Sequence, residues 1–262
     1  MAAPHWLVAR PIAHRGLHDQ AQGRCENSLA AAEAAVARGF SVECDVRLSR
    51  DGVAFVFHDA RLERLTGAGG RLDGLDAREI DALRLRAQGP AATPASPPRL
   101  DRLIARIAGR APLIVEIKSA FDGDLRLVQA VARVLAQTPR EAPVAVKSFD
   151  PEPIAWLRAQ APALGLERLP LGIVAQARFD AQDDWAALDA PARRDLAALT
   201  HWPRTRPDFL SWAVRDLPHA GPTLARAALG LPVMAWTVRD PQDWARARAC
   251  ADQAVFEGEI DG

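Results

Sequence analysis

Eight short runs of β-branched or apolar residues alternate along this chain with Ala-, Leu- and Arg-rich segments of helical period, and that alternation leaves few folds open. The runs lie at 11–15, 41–47, 113–117, 144–148, 170–175, 208–213, 233–237 and 254–257. The helical segments lie at 28–38, 99–109, 123–137, 151–160, 183–199, 221–229 and 241–251. Strands separated by helices predict a parallel sheet with the helices outside it. Asp150 before Pro151, and Asp240 before Pro241, mark two helix starts, each a capping side chain followed by a proline at the first helical position. With 262 residues, eight such units and no glycine-rich dinucleotide fingerprint, the expected fold is a closed TIM (β/α)8 barrel of α/β class, one domain over 1–262.

One run departs from the alternation. Val53-Ala-Phe-Val-Phe-His58 follows Arg50-Asp-Gly52 with no room for a helix, so a hairpin turn at Asp51-Gly52 and an antiparallel return strand over 53–58 are expected, bringing His58 back to the barrel mouth. Residues 60–98, rich in glycine and then proline, read as a small insertion after the second strand, with a short helix near 76–84. The segment 176–207 reads as a second rim element.

Charge is balanced at 33 basic and 33 acidic residues, which gives no electrostatic footprint for nucleic acid or an anionic membrane surface. Three scattered cysteines, Cys25, Cys44 and Cys250, suit neither a disulfide framework nor a zinc knuckle, and a reducing, cytoplasmic location is expected. The first residues, Met1-Ala-Ala-Pro-His-Trp6, lack a charged region followed by an apolar stretch, and no run of about 18 apolar residues occurs, so neither a secretory leader nor a membrane span is expected.

Against this apolar background, Ser41-Val-Glu-Cys-Asp-Val-Arg47 carries two carboxylates, Glu43 and Asp45, at i and i+2 of a strand. Both then point to one face. Like charges aimed at one point are costly unless a cation or a proton sits between them; such acids can simply pair with Arg or Lys, but a third acid, Glu116 in Leu113-Ile-Val-Glu-Ile-Lys118, makes an all-oxygen set suited to Mg²⁺ or Ca²⁺ the leading expectation. Cys44 alternates to the other face and is expected to pack behind the site. Of the six histidines, His14 and His58 lie at strand ends and are candidates for general acid and base, while His5, His18, His201 and His219 are read as exposed or structural. Arg15 offers forked donors to a phosphate, and Lys118 a point charge to the same anion. In-line displacement at phosphorus needs this combination, so phosphodiester cleavage is the leading expectation; no P-loop or kinase signature supports transfer from a nucleotide.

His14-Arg-Gly16, Glu26-Asn-Ser28, Glu43-Cys-Asp45-Val, Asp51-Gly52, His58-Asp59, Leu62 to Thr66, Glu116-Ile-Lys118, Ser148-Phe-Asp150 and Trp236-Thr-Val238 together resemble the glycerophosphodiester phosphodiesterase family, in order and approximate spacing across nearly the whole chain. The resemblance implies a TIM barrel with a small insertion after the second strand and metal-dependent hydrolysis of glycerophosphodiesters to sn-glycerol 3-phosphate and an alcohol. It makes Glu43, Asp45 and Glu116 the metal ligands, His14 and His58 the acid/base pair, and Arg15 and Lys118 the phosphate contacts. The mechanism it implies has a glycerol hydroxyl attack phosphorus to give a cyclic phosphate, which water opens.

Some positions stay open. Glu26 joins or buttresses the metal site; Asn27 serves the site or caps the following helix; Asp59 orients a neighbour or caps a turn; Trp236, at a strand end, is the one aromatic read as a substrate contact. The last strand ends in Val255-Phe-Glu-Gly-Glu-Ile260 rather than the Thr-Asp-x-Pro run of many relatives, which leaves the alcohol side undefined. Lysophospholipids or sphingomyelin, cleaved as by a lysophospholipase D or sphingomyelinase D, are alternative substrates that need an apolar rim or anchor. A silent barrel binding a phosphorylated metabolite, and a lyase or isomerase on a phosphorylated acid, are alternatives of other classes.

Overall fold

The computed structural model describes residues 3–87, 94–180, 185 and 188–258. Eight parallel strands close into a TIM barrel: β1 (Ile12–Ala13), β2 (Ser41–Leu48), β4 (Leu113–Ile117), β5 (Val144–Ser148), β6 (Leu171–Ala175), β7 (Phe209–Ala213), β8 (Val233–Val238) and β9 (Gln253–Phe256). Closure is made at β1, where Ile12 pairs with Ser41 on one side and Val255 on the other. The remaining strand, β3 (Ala54–Val56), is the expected antiparallel return on β2, with Arg47 opposite Phe55 and Gly52 taking the turn at φ +86°.

Strict alternation builds two cores. Outward residues such as Val42, Cys44, Val46, Val115, Val146, Leu210 and Ala235 pack under the helices, and inward ones, Ile12, Ile114, Ala145, Phe209, Met234 and Val255, fill the barrel with Leu7. Gly172 on β6 exists to make room for that filling: a Cβ there would stand 2.3 Å from the Phe209 ring. Above this apolar layer, the next inward positions carry the ionisable groups.

The principal outer helices are α1 (Leu29–Ala37), α4 (Leu100–Ile107), α5 (Arg126–Ala136), α6 (Pro151–Leu164), α7 (Ala190–Ala198), α9 (Ala220–Leu229) and α10 (Pro241–Cys250). Asp150 and Asp240 cap α6 and α10 as expected. Of the boundaries that differ from the sequence reading, three have a plain local cause. β1 ends at Ala13 rather than 15, because Arg15 and Gly16 take φ of +57° and +76° and turn the chain away. Helix α6 runs past 160 through Pro162 and stops at Gly165, whose left-handed backbone caps it. Helix α7 starts at Ala190 rather than 183, since Asp189 caps it and Pro191 sits in its first turn, where a missing N–H costs nothing; part of the predicted stretch lies outside the described residues.

Between β3 and α4, the short helices α2 (Glu63–Thr66) and α3 (Ala77–Ala82) fold over a separate apolar cluster of Phe55, Phe57, Leu62, Leu65, Leu72 and Ile80. The remaining helix, α8 (Trp202–Thr205), follows α7. Among the described residues no helix is long and apolar enough to cross a membrane.

Candidate active site

Strand register places the acids. Asp45 on β2 pairs with Glu116 on β4, and Glu116 pairs with Lys147 on β5, so the three stand in one row across adjacent strands; Glu43 lies two residues before Asp45 on the same face. Glu43, Asp45 and Glu116 are buried, and each offers an oxygen within 4.8 Å of the others. Glu43 Oε1 and Asp45 Oδ1 make no hydrogen bond to any described residue, although lysine ammonium groups stand 3.1 Å from each. Convergent, incompletely bonded carboxylate oxygens are the donor set of a hard divalent cation, and these residues fit one.

Three cations surround the cluster. Arg15 Nε lies 3.2 Å from Asp45 Oδ2; Lys118 Nζ contacts Asp45 Oδ1 and Glu116 Oε1; Lys147 Nζ lies 3.1 Å from Glu43 Oε1 and 3.0 Å from Glu116 Oε2. Burial opposes ionisation of Glu116, but Lys118 and Lys147 overcome it and bring its pKa down to about 2. Asp45 is likewise held well below the carboxylate range, its burial outweighed by Lys118 and Arg15. Lys147 was not singled out in the sequence, where one lysine in Val144-Ala-Val-Lys-Ser148 has no neighbouring charge to betray it.

Both candidate histidines are aimed by carboxylates. His14 Nδ1 lies 2.5 Å from Glu257 Oε1, and His58 Nδ1 lies 2.8 Å from Asp59 Oδ1. Each imidazole is thereby left with Nε2 available, and both line a cleft of about 540 Å³ at the C-terminal face of the barrel together with Arg15, Lys118 and Trp236. His14 Nε2 stands 3.9 Å from Glu43 Oε2. Glu257 is fixed in turn by Arg239 Nε at 2.7 Å. Although partly buried, it is held well below the usual carboxylate range by His14 and Arg239.

The positions left open in the sequence have defined partners. Asn27 does not cap α1: Ser28 does, accepting from the Ala31 N–H, while Asn27 donates to Asp45 Oδ2 at 2.9 Å and accepts from the Asp45 N–H at 3.1 Å. Glu26 stands outside the three-acid cluster and binds Arg15 Nη1 at 2.7 Å. Arg64, on α2, donates to both Glu26 and Asp59 with contacts of 2.6–2.8 Å, so the insertion clamps the partners of Arg15 and of His58 together. Asp59 therefore orients its neighbour.

Trp236 lies in the cleft, its Nε1 donating to Ser211 O at 2.9 Å and its ring 5.3 Å from Phe149. Phe149 and Trp185 join it on the same wall, 4.7 Å apart. Trp185 lies in the 176–207 segment read as a rim element, while nothing in the sequence distinguishes Phe149 from an aromatic residue of the core. Of the histidines read as structural, His219 stacks on Trp212 and accepts from the Gly221 N–H, and His201 is buried at the start of α8.

A (β/α)8 barrel with its ionisable groups gathered at the C-terminal ends of the strands has the architecture of an enzyme, and carboxylates interleaved with guanidinium and ammonium groups suit an anionic substrate. Comparison with known proteins narrows the class. A family model described as the glycerophosphoryl diester phosphodiesterase family matches residues 14–261, and the chain belongs to that family. The Mycobacterium tuberculosis protein named "Probable glycerophosphodiester phosphodiesterase 2" is 44% identical over 62 residues, 23% of this chain; the aligned stretch spans only 24% of that relative's length. Among solved structures, an Oleispira antarctica phosphodiesterase in complex with the product sn-glycerol-3-phosphate has a TM-score of 0.75 at 24% identity, covering 96% of this chain and 94% of the other. A glycerophosphodiester phosphodiesterase from Thermotoga maritima has a TM-score of 0.66 at 20% identity, covering 94% of this chain and 92% of that one. These two likenesses establish the shared barrel.

Proposed function

We propose that this chain hydrolyses glycerophosphodiesters to sn-glycerol 3-phosphate and an alcohol. The observation that carries the reading is the pair of imidazoles, each aimed by its own carboxylate into a cleft that also presents Arg15, Lys118 and the three acids. Family membership supports it, as does the sn-glycerol-3-phosphate held by the Oleispira protein.

In this reading Arg15 and Lys118 bind the phosphate oxygens, and Glu26 and Asn27 hold Arg15 and Asp45 in place behind them. One imidazole Nε2 takes the proton from a glycerol hydroxyl as it attacks phosphorus; the other gives a proton to the departing alcohol oxygen. The same pair in exchanged roles opens the resulting cyclic phosphate with water. Glu43, Asp45 and Glu116 are the residues to hold one Mg²⁺ or Ca²⁺, which when bound supplies positive charge to the non-bridging oxygens. Trp236, with Phe149 and Trp185, walls the side of the cleft available to the alcohol. The insertion belongs to the same catalytic domain, since its Arg64 serves both His58 and Arg15 through Asp59 and Glu26.

The test is hydrolysis of glycerophosphocholine, glycerophosphoethanolamine and glycerophosphoglycerol by metal-stripped protein, with Mg²⁺ or Ca²⁺ restored and released sn-glycerol 3-phosphate assayed. Metal-dependent release supports the reading. Folded protein that releases none of it from any of the three overturns it.

A further inference from the structure

Lys147 is an ionisable group in contact with the acid cluster that this mechanism does not use. Its side chain is 2% exposed, against 15% for Lys118 and 16% for Arg15, so it forms the floor of the cleft, behind the two cations that offer themselves to a phosphate. On β5 it stands between Val146 and Ser148, and its Nζ bridges Glu43 and Glu116, two members of the acid cluster that share no other lysine among the described residues. An ammonium group so deeply buried is stable there because both carboxylates face it, and its charge in turn offsets the repulsion between them.

Counting formal charges, Glu43, Asp45, Glu116 and the Glu26 that binds Arg15 are offset by Arg15, Lys118, Lys147 and the Arg64 that binds Glu26 before any ion arrives. Entry of a divalent cation therefore leaves an excess of positive charge in a site shielded from water. A phosphate anion in the cleft cancels it. Without Lys147 the acids would be under-compensated and would take the ion whether or not a phosphate were present.

We propose that Lys147 is a resident counter-ion that holds Glu43 and Glu116 in their arrangement while no ion is bound and couples ion binding to phosphate binding. The ion is then held weakly by the protein alone and tightly with a phosphate ester beside it. By linkage the ester gains the same factor from the ion. This inference rests on Glu43, Asp45 and Glu116 being the ion site.

The experiment is calorimetric titration of Ca²⁺ and Mg²⁺ into wild type, Lys147→Met and Lys147→Gln, with and without saturating sn-glycerol 3-phosphate, with thermal melts in chelator and in each ion. In wild type the dissociation constant of the ion should fall on the order of tenfold or more when sn-glycerol 3-phosphate is present. In the variants the ion alone should bind about tenfold or more tightly than in wild type, the coupling should shrink, and the melting temperature should depend more steeply on the ion. Should both variants fail to fold, the wild-type coupling decides. Wild type whose ion affinity ignores sn-glycerol 3-phosphate overturns the proposal, as does a folded variant that binds the ion no more tightly than wild type. Either result leaves the ion site standing. Absence of ion binding by wild type under both conditions sinks the ion-site reading itself.

Discussion

Glu257 Oε1 stands 2.5 Å from His14 Nδ1, although 243 positions separate the two residues along the chain. Barrel closure creates the contact. His14 follows β1 and Glu257 follows β9, and His14 N–H donates to Phe256 O at 2.9 Å, so the two strand ends are hydrogen-bonded neighbours.

That contact gives the first prediction. Glu257→Gln keeps the shape but loses the charge that fixes the imidazole, and kcat should fall roughly 10- to 100-fold with KM and melting temperature nearly unchanged. Glu257→Asp should recover part of the loss. A Gln variant with wild-type kcat removes Glu257 from the mechanism.

Replacing the imidazoles themselves should cost more. His14→Ala and His58→Ala should each lower kcat on the order of a hundredfold or more, with ion binding by calorimetry largely kept. Asp59→Asn should reproduce a milder form of the His58 defect, because Arg64 still holds the loop through Glu26. Turnover near normal in either alanine variant excludes that histidine as acid or base.

Ion removal separates binding from chemistry. Dialysis against a chelator should abolish turnover while the barrel stays folded, since Lys118, Lys147 and Arg15 already offset the three acids. Circular dichroism after dialysis checks the second half of that statement. Glu116→Gln should require more ion for half-maximal rate, because it removes one of the three oxygen donors.

His201 predicts how stability varies with acidity. Burial and the nearby Arg204 bring its pKa down from 6.5 to about 4. The unfolded chain therefore binds a proton there at a pH where the folded protein does not. Its contribution is fully present above pH 6.5, and stability is lost as pH falls from about 6.5 to about 4, by up to about 3 kcal/mol. Urea melts across that interval should show the slope in wild type and a flatter one in His201→Asn.

Gly172→Ala tests the filling of the barrel. The added methyl meets the buried Phe209 ring, and overpacking should lower stability by roughly 1–3 kcal/mol in denaturant melts. An unchanged midpoint would mean that the ring has room to turn.

The parts of the site legible in the sequence were those that violated a local pattern. Glu43, Asp45 and Glu116 interrupt apolar strands, and His58 ends a run that had to be a hairpin return, so spacing and alternation mark all four as candidates. Arg64 was invisible because arginine on a short, charged, half-exposed helix is ordinary there. Asn27 stayed ambiguous because Asn and Ser side by side before a helix can both cap it; packing chose Ser28 and freed Asn27 for Asp45. Phe149 and Trp185 have the composition of a core and the position of a wall.

By itself the sequence determined the barrel, its antiparallel hairpin and the residue types at the strand ends, because alternation of period two and helical period are properties of consecutive residues. The pairing of those ends was decided only by the tertiary structure. Lys147 with Glu43 and Glu116, Arg64 with Asp59 and Glu26, and Glu257 with His14 are contacts between strands or loops far apart in the chain. Charges that look solitary along the sequence become partners only when closure of the sheet sets their register and burial removes the water that would otherwise have solvated them.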